Sequence, residues 1–364
     1  MSTALKLDSA TELHASAMKS MERAFENLAR LQDASGSWKG DYGGPMFLLP
    51  MHVALCHAAN RLPDAHAAER MRTYFFNVQR ADGSIGLHAE ATEGMMFTTA
   101  LSYVSLRILG APADDARMVK MREWIHANGS PLGAASWGKF TLCLLGLYEW
   151  DGIHPVSPEL WLLPKSAPMH PGRMWCHARQ VYLPMAWLYG SRSTMKPDAL
   201  IVALREELYA GKWSQIRWKE HRDTVLKNDE YRAPTQGLKA TNAALDAAEA
   251  VPFKPLRKRA LAECLEHIQF AAAVTSIIAL GPVNAVLNAF VHLFRGPEGR
   301  AELERKLEAN VAYLWDGHDG LKFQGYNSSE LWDTAFTVQA LLASPVAADP
   351  RFEPMLKRAH AFIR

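Results

Sequence analysis

The residues best suited to chemistry lie close together in the stretch PGRMWCHARQVYLPM, at positions 171–185. Trp175, Cys176 and His177 are consecutive there, and Tyr182 follows a few positions later. Three kinds of site use such residue types: a metal site of thiolate and imidazole, a nucleophile–base pair, and a pocket lined by aromatic rings. The rest of the sequence decides how these three should be weighed.

The spacing of the thiol and the imidazole does not favour the first two kinds of site. Cys176 and His177 are adjacent, so we do not expect both side chains to face one ion, and we predict no metal site. A nucleophile also needs a base that a third group orients, which adjacency does not provide. The pocket interpretation therefore remains, beside a simpler one in which Trp175 and Tyr182 are core aromatics and His177 is an interior histidine.

The composition is that of a large globular protein without a strong charge bias. Among 364 residues, 49% are hydrophobic, and 40 basic residues nearly balance 38 acidic ones for a net charge of +2. Nucleic-acid binding requires basic residues clustered on one face, and the sequence lacks such a cluster, so we exclude nucleic acid as a partner. The four cysteines have no CxxC spacing, and the start, MSTALKLDSATELH, has no apolar signal-peptide core. We therefore predict an intracellular protein with reduced thiols.

Helical periodicity through most of the chain predicts an all-α fold. Apolar residues recur at helical spacing over positions 95–110, and positions 140–150 are nearly all apolar, as in an inner helix. We find no alternating pattern of useful strand length. Positions 270–294 lack Asp, Glu, Lys and Arg, but Gly281-Pro282 interrupts them. This interruption favours two buried segments joined by a turn over a membrane span.

Turn-like segments recur at a spacing close to 50 residues. QDASGSW begins at Gln32, QRADGSIG at Gln79 and NGSPLGAASWG at Asn128, and a more divergent copy occupies positions 315–336. Repeats of this length indicate helix pairs that stack on their neighbours. A stack that curves until it closes forms an α/α barrel, with the turns gathered at its ends.

Seven blocks of the sequence resemble oxidosqualene cyclases, the lanosterol and cycloartenol synthases. They occur in family order and with family spacing, and the turn-like repeats are similar to the Gln–Trp motifs of the same family. The resemblance extends from about position 31 to the end of the chain. The blocks are GDYGGPMFLLP (40–50), SWGKF (136–140), LYEWDG (147–152), PELWLLP (158–164), HPGRMWCHARQVYLPM (170–185), GPVNAVLN (281–288) and GYNSSELWDTAF (325–336).

The resemblance implies a fold of two α/α barrels and a cyclisation reaction. A first, inserted barrel would occupy residues 1–275, and residues 276–364 would be the incomplete beginning of the catalytic barrel. The family cyclises 2,3-oxidosqualene to a sterol or triterpene, needs no metal or organic cofactor, and contacts one leaflet of a membrane or a lipid droplet. Tyr326 favours a cycloartenol-type product over lanosterol, because this position is tyrosine in cycloartenol-type cyclases.

The reaction proceeds through a carbocation, which aromatic faces stabilise by roughly 0.5–2 kcal/mol each without capturing it. By resemblance, Tyr42 helps to set the fold of the second ring and His177 controls the late cation and the final deprotonation. Cys176 would then be a packing residue, and Arg173 and Arg179 would anchor the segment to neighbouring acids. The predicted substrate-cavity residues are Tyr42, Trp137, Trp175, His177, Tyr326 and Trp332.

Three departures from the family pattern qualify this prediction. The catalytic acid of the family belongs to an Asp-Cys-Thr-Ala-Glu motif, but the sequence contains no Asp-Cys pair, and the motif would be expected beyond Arg364. Residues 271–274 read AAAV where the family has a charged stretch, and residues 237–251 are more polar than a membrane-docking helix. The alternatives are a non-catalytic isoprenoid-binding or interaction protein derived from a cyclase and, less favoured, a squalene–hopene-type cyclase.

Overall fold

The computed structural model describes residues 10–326 and 328–364. Within these ranges the chain forms fourteen α-helices, several short 3₁₀ turns and one two-stranded antiparallel sheet. The all-α fold class predicted from the sequence is therefore confirmed. The α-helices are α1 (Ala10–Leu31), α2 (Leu48–Ala58), α3 (Ala65–Val78), α4 (Met96–Ile108), α5 (Ala116–Ala127), α6 (Ser136–Leu145), α7 (Cys176–Gly190), α8 (Ala199–Leu208), α9 (Gln236–Glu249), α10 (Lys254–Val274), α11 (Pro282–Phe294), α12 (Arg300–Asn310), α13 (Glu330–Leu342) and α14 (Glu353–Ile363).

The helices divide into two compact units. The first comprises Met1–Tyr42 together with Ser328–Arg364, and the second comprises Gly43–Asn327. The barrel boundary predicted between residues 275 and 276 falls within the second unit, and the assignment of residues to two barrels stays a prediction.

The core of the second unit is built around helices that are apolar on nearly every side. α4 and α11 are buried along almost their whole lengths, as expected of helices without a polar face. Two polar side chains of α4 that enter this core are hydrogen-bonded: Thr98 Oγ1 donates to the carbonyl of Ile85 (2.8 Å) and Ser105 Oγ to that of Leu101 (2.8 Å). The core of the first unit is smaller; it includes Phe25, whose ring packs against that of Phe352 with centroids 5.0 Å apart.

The predicted repeats form the same turn in each unit. Gln32 Nε2 donates to the carbonyl of Gly36 (2.9 Å) and to a carbonyl of α14 (2.9 Å) in the first unit. Gln79 Nε2 donates to the carbonyl of Gly83 (3.1 Å) and to a carbonyl of α5 (2.9 Å) in the second. Gly36 and Gly83 have φ values of 92° and 95°, and a Cβ on either would collide with a helix carbonyl, so glycine is required at both. Each glutamine therefore fastens its own turn to a neighbouring helix.

We expect Gln79→Ala to lower the free energy of unfolding by about 1–2 kcal/mol, because two backbone acceptors lose their donor. Urea denaturation followed by circular dichroism would measure the change. Gln236→Ala, at an exposed position, is the matched control and should change stability by less than about 0.5 kcal/mol. Equal effects of the two substitutions would contradict a fastening role for Gln79.

The divergent fourth repeat contains the sheet, which the sequence pattern did not predict. Strands β1 (Leu314–Gly317) and β2 (Gly320–Phe323) pair antiparallel through a two-residue turn. Gly320 has a φ of 129°, and a Cβ there would collide with the backbone of α3. Four-residue strands are too short to show a clear alternation, and all of β2 is buried, which explains why the pattern was missed.

The charge-free stretch at positions 270–294 is interrupted before Pro282, as predicted, and forms the end of α10, a loop and α11. The prediction of two buried segments holds only for α11, because Phe270 and Val274 at the end of α10 are exposed. The loop holds Ser276, Ile277 and Ala279 at positive φ values of 48°, 76° and 72°. Among the described residues, none of the helices combines the length and the apolar character needed to cross a bilayer.

The polar segment after position 213 contains α9, a helix without a single buried side chain. Ion pairs hold it against the rest of the second unit instead. Asp246 pairs with Arg222 (2.7 Å), and Glu249 pairs with both Arg257 (2.6 Å) and Arg192 (3.0 Å). This helix therefore depends on ion pairs where the others depend on apolar packing.

Candidate functional site

The stretch at positions 171–185 presents an aromatic pair at the start of α7. Trp175 is the residue before the helix, and its indole stacks on the imidazole of His177 with ring centroids 4.4 Å apart and an interplanar angle of 29°. The Trp175 side chain is 72% exposed, so it is not a core aromatic. Tyr182 does belong to the interior: its hydroxyl donates to the carbonyl of Ser157 (2.9 Å), and burial raises the pKa of the phenol.

The thiol and the imidazole are closer than their adjacency suggested. Cys176 Sγ lies 3.5 Å from His177 Nδ1, so the two adjacent side chains are in contact. The structure shows no third group that orients this imidazole, and the described residues contain no cluster of three or more potential metal ligands. The contact instead constrains the orientation of the ring on which Trp175 stacks.

Arg173 and Arg179 do not anchor the segment to acids, contrary to the sequence-based prediction. Arg179 donates to the carbonyl of Gly172 (3.2 Å), a neutral partner. Neither guanidinium forms an ion pair with a carboxylate of residues 10–326 or 328–364. Among the described residues, these two cationic groups, one before α7 and one within it, therefore have no counter-charge.

Trp137 and Tyr326 are the other predicted site residues of the second unit. Trp137 lies in the first turn of α6 and meets the ring of Phe47 edge-on at 5.8 Å, while Phe47 stacks on Phe97 at 4.9 Å. The Trp137 side chain is 37% exposed, and Tyr326, which follows β2, is also exposed. The structure thus brings Trp175 and His177 into contact, and it places Trp137 in a separate aromatic group.

Tyr42 and Trp332 belong to the first unit, where both are exposed. Trp332 lies in the first turn of α13 and meets Phe336 edge-on at 5.6 Å. The next residue, Asp333, has a structural role: its Oδ2 accepts hydrogen bonds from Gly40 N (2.8 Å) and from Ser329 Oγ (2.6 Å). Trp332 is 67% exposed, which excludes a buried core role within this unit.

Asp229 is a positioning residue that the sequence analysis missed. Its carboxylate accepts hydrogen bonds from Met96 N (2.6 Å) and Phe97 N (2.7 Å) at the start of α4, and from Ala135 N (3.2 Å) before α6. The first amides of a helix lack partners within it, and the helix dipole favours a negative charge there. One carboxylate therefore caps α4, which contains Phe97, and orients α6, which contains Trp137.

Lys139 adds a second buried charge to the same region. Its Nζ donates to the carbonyls of His221 (2.7 Å) and Thr224 (2.7 Å), which fastens that loop to α6. Burial lowers the pKa of the Lys139 ammonium to about 8. Asp229 and this loop contact residues that lie about ninety positions earlier in the chain, and such distant contacts leave no local sequence signal.

A cavity of about 790 Å³ lies between α7, α10, α11 and the turn Pro158–Leu162. One face of α7 lines it, through Cys176, Arg179, Gln180 and Leu183. This spacing of three, four and seven residues defines a single helical face. Trp175 and His177 are not among the residues that line the cavity.

A sequence profile of the squalene-hopene cyclase N-terminal domain matches residues 21–319. The chain belongs to the squalene–hopene and oxidosqualene cyclase family. Its all-α fold is that of a terpene cyclase N-terminal region, as the resemblance implied.

The chain is similar to several sterol and triterpene synthases. It is 41% identical to a cycloartenol synthase of Dictyostelium discoideum over 95% of its own length and 49% of that protein. It is 40% identical to the lanosterol synthase of Homo sapiens over 92% of its length and 46% of that protein, and 35% identical to protostadienol synthase A of Aspergillus fumigatus over 95% and 47%. The chain thus spans about half the length of the curated relatives that it matches.

Proposed function

We propose that this chain is the N-terminal part of an oxidosqualene cyclase, which converts 2,3-oxidosqualene to a sterol or triterpene by acid-initiated cationic cyclisation. The exposed Trp175–His177 stack carries the proposal. Tryptophan presents the aromatic face that attracts a cation most strongly, and an imidazole beside it can accept a proton. An exposed indole stacked on an imidazole suits one wall of a substrate cavity.

The proposed roles follow from side-chain chemistry. Aromatic rings at Tyr42, Trp137, Trp175, Tyr326 and Trp332 stabilise positive charge along the folding polyene, by roughly 0.5–2 kcal/mol for each ring in contact. They do so without offering a nucleophile that would capture the cation. The reaction needs no metal or organic cofactor, because its driving step is a proton transfer to the epoxide oxygen.

His177 is proposed to remove the final proton. In the neutral ring one nitrogen donates and the other accepts. If Nδ1–H donates to Cys176 Sγ across the observed 3.5 Å, then Nε2 keeps a lone pair that can receive the proton from the last cation. Cys176 is then a positioning residue, which fixes the tautomer of the base.

The general acid is proposed to come from outside these 364 residues. The chain has no Asp-Cys pair, and Asp333, present in the family block, is already engaged by Gly40 and Ser329. We further propose a cycloartenol-type product on the basis of Tyr326, a first barrel over residues 1–275 with the catalytic barrel beginning at 276, and contact with one membrane leaflet or a lipid droplet.

The test is product analysis with the native protein, isolated with any sequence that flanks these residues. We expect cyclised products from 2,3-oxidosqualene in gas chromatography with mass spectrometry. His177→Ala should lower kcat by about 100-fold, as general acid–base catalysis by one side chain contributes about 10²–10⁴-fold. His66→Ala, at an exposed position of α3, is the control and should leave kcat unchanged.

A second candidate is a non-catalytic isoprenoid-binding protein, favoured by the missing Asp-Cys pair and by the AAAV sequence at residues 271–274. It predicts that oxidosqualene binds and is recovered unchanged. Recovery of unchanged substrate from the native protein would overturn the cyclase proposal in favour of this one. Turnover of squalene rather than its epoxide would indicate a squalene–hopene-type reaction.

A further inference from the structure

The cavity beside α7 combines an apolar wall with a cationic mouth. Its volume of about 790 Å³ lies within the range of about 300–1,000 Å³ that is usual for small-molecule sites. Small side chains at Ala271 and Val274, in the last turn of α10, border this space. The apolar wall is formed by Trp161, Leu162, Leu163, Leu183, Phe270 and Val274.

Four basic side chains and a single carboxylate line the same cavity. The carboxylate, Glu263, lies 3.4 Å from His267 on the next turn of α10. The basic residues are Lys165, Arg173, Arg179 and Arg259. None of these four has a carboxylate within ion-pair distance in the described parts of the chain. Clustered cations without counter-ions repel one another, so this mouth is electrostatically prepared for an anion.

The wall also contains acceptor atoms that lack donors. Asn288 is 2% exposed, and its Oδ1 has no hydrogen-bond partner among the described residues. The buried Oε1 of Gln180 also lacks a partner there. Both side chains line the cavity. A buried acceptor without a donor costs about 1–3 kcal/mol, so a ligand that brings a hydroxyl group would be favoured over a purely hydrocarbon one.

We propose that this cavity binds a single-chain lipid with a phosphate head group, the chain lying against Leu183 and Phe270 and the phosphate between the guanidinium groups at the mouth. Arginine forks match phosphate oxygens two at a time, and several arginines suit a multiply charged phosphate better than a single carboxylate. The neutral substrate of the proposed cyclisation would leave all four cations unused. The inference therefore goes beyond the proposed function and does not depend on it.

The experiment compares three probes that separate the head group from the chain. Isothermal titration of the full chain should show binding of a lysophosphatidate below its micellar concentration. A monoacylglycerol with the same chain, which lacks the phosphate, should bind at least about tenfold more weakly. Glycerol phosphate, which lacks the chain, should show no measurable binding, and this distinguishes a lipid head group from a free phosphate ester.

Two sets of variants separate the contribution of the arginines from that of the apolar wall to lipid binding. Arg173→Gln combined with Arg259→Gln should weaken lysophosphatidate binding about tenfold and leave monoacylglycerol binding unchanged. Ala271→Phe fills the space beside the chain and should weaken both. Arg232→Gln, an exposed arginine outside the cavity lining, is the matched control and should change neither.

Equal affinities for lysophosphatidate and monoacylglycerol, or no effect of the paired arginine substitutions, would overturn the proposal. Absence of lysophosphatidate binding to the native protein would also overturn it. Failure here is distinguishable from failure of the cyclase proposal, because the oxidosqualene assay reads product formation and none of the substituted residues belongs to the proposed substrate cavity.

Discussion

Lowering the pH from 7 to 5 should reduce the free energy of unfolding by about 4 kcal/mol, through two histidines that the fold keeps neutral. His52 lies in α2, stacked on Phe323 with ring centroids 4.5 Å apart, and burial lowers its pKa to about 4. His292 lies in α11, where burial lowers its pKa to about 4, with the nearby charges of Lys306 and Arg295 adding to the effect.

The direction follows from proton binding in the two states. An unfolded histidine has a pKa of about 6.5, so between about pH 6.5 and 4 the unfolded chain binds protons that the folded chain does not. The stability that the neutral rings provide is therefore present above about pH 6.5 and is lost as the pH falls towards 4. Each ring contributes about 2 kcal/mol of loss between pH 7 and 5.

Urea denaturation at pH 7 and pH 5 would measure this loss. The range stops at pH 5 because most carboxylates titrate below it. The variant His52→Leu keeps an apolar side chain in the stack and should remove about half of the pH dependence, whatever its effect on stability at pH 7. His66→Leu, at an exposed position, should leave the slope as it is. A pH dependence that His52→Leu and His292→Leu together leave intact would refute the assignment.

We expect Asp229→Ala to lower the free energy of unfolding by about 3–5 kcal/mol, because two buried backbone donors and one half-buried donor lose their acceptor at once. The donors are the amides of Met96, Phe97 and Ala135, at 2.6, 2.7 and 3.2 Å from the carboxylate. Burial raises the pKa of this carboxyl group, while the same amides oppose the rise. Thermal and urea unfolding of the variant would measure the loss.

Asp64 provides the matched control. It caps α3 in the same chemical manner, with Oδ1 accepting from Ala67 N at 2.8 Å, but at an exposed position and with a single bond. Asp64→Ala should cost only about 1 kcal/mol. Similar losses for the two substitutions would show that Asp229 acts as an ordinary surface cap. A stable Asp229→Ala variant with normal fluorescence from Trp137 would contradict its role in positioning α6.

The sequence predicted those features that are encoded locally. Gly281-Pro282 marked the turn between α10 and α11, and Gln32 and Gln79 marked turns that prove to have the same hydrogen bonds. In these cases the residues that determine the conformation are neighbours in the chain, so spacing and turn chemistry suffice.

Other features depend on partners far away in the chain, and the sequence could not indicate them. Asp229 acts on amides more than ninety positions away, and its local context reads as a polar connector. The contact of Cys176 with His177 depends on side-chain rotamers, which residue spacing does not determine. Whether Arg173 and Arg179 form ion pairs depends on how far the fold places them from carboxylates, and in the described residues none lies within ion-pair distance. The six predicted substrate-cavity residues stay a prediction.

The attachment of α9 has a consequence for how the molecule opens. Its exposed surface contributes little to the apolar core, so the free energy that holds it comes largely from the carboxylates of Asp246 and Glu249 and their arginine partners. Added electrolyte weakens the more exposed of these pairs, Arg192–Glu249 and Arg222–Asp246, more than the nearly buried Arg257–Glu249 pair, and it leaves the packing of α4 and α11 intact. Raising the ionic strength thus destabilises one helix locally. We expect α9 to exchange its amide hydrogens and to be cleaved by proteases before the rest of the second unit, which stays folded.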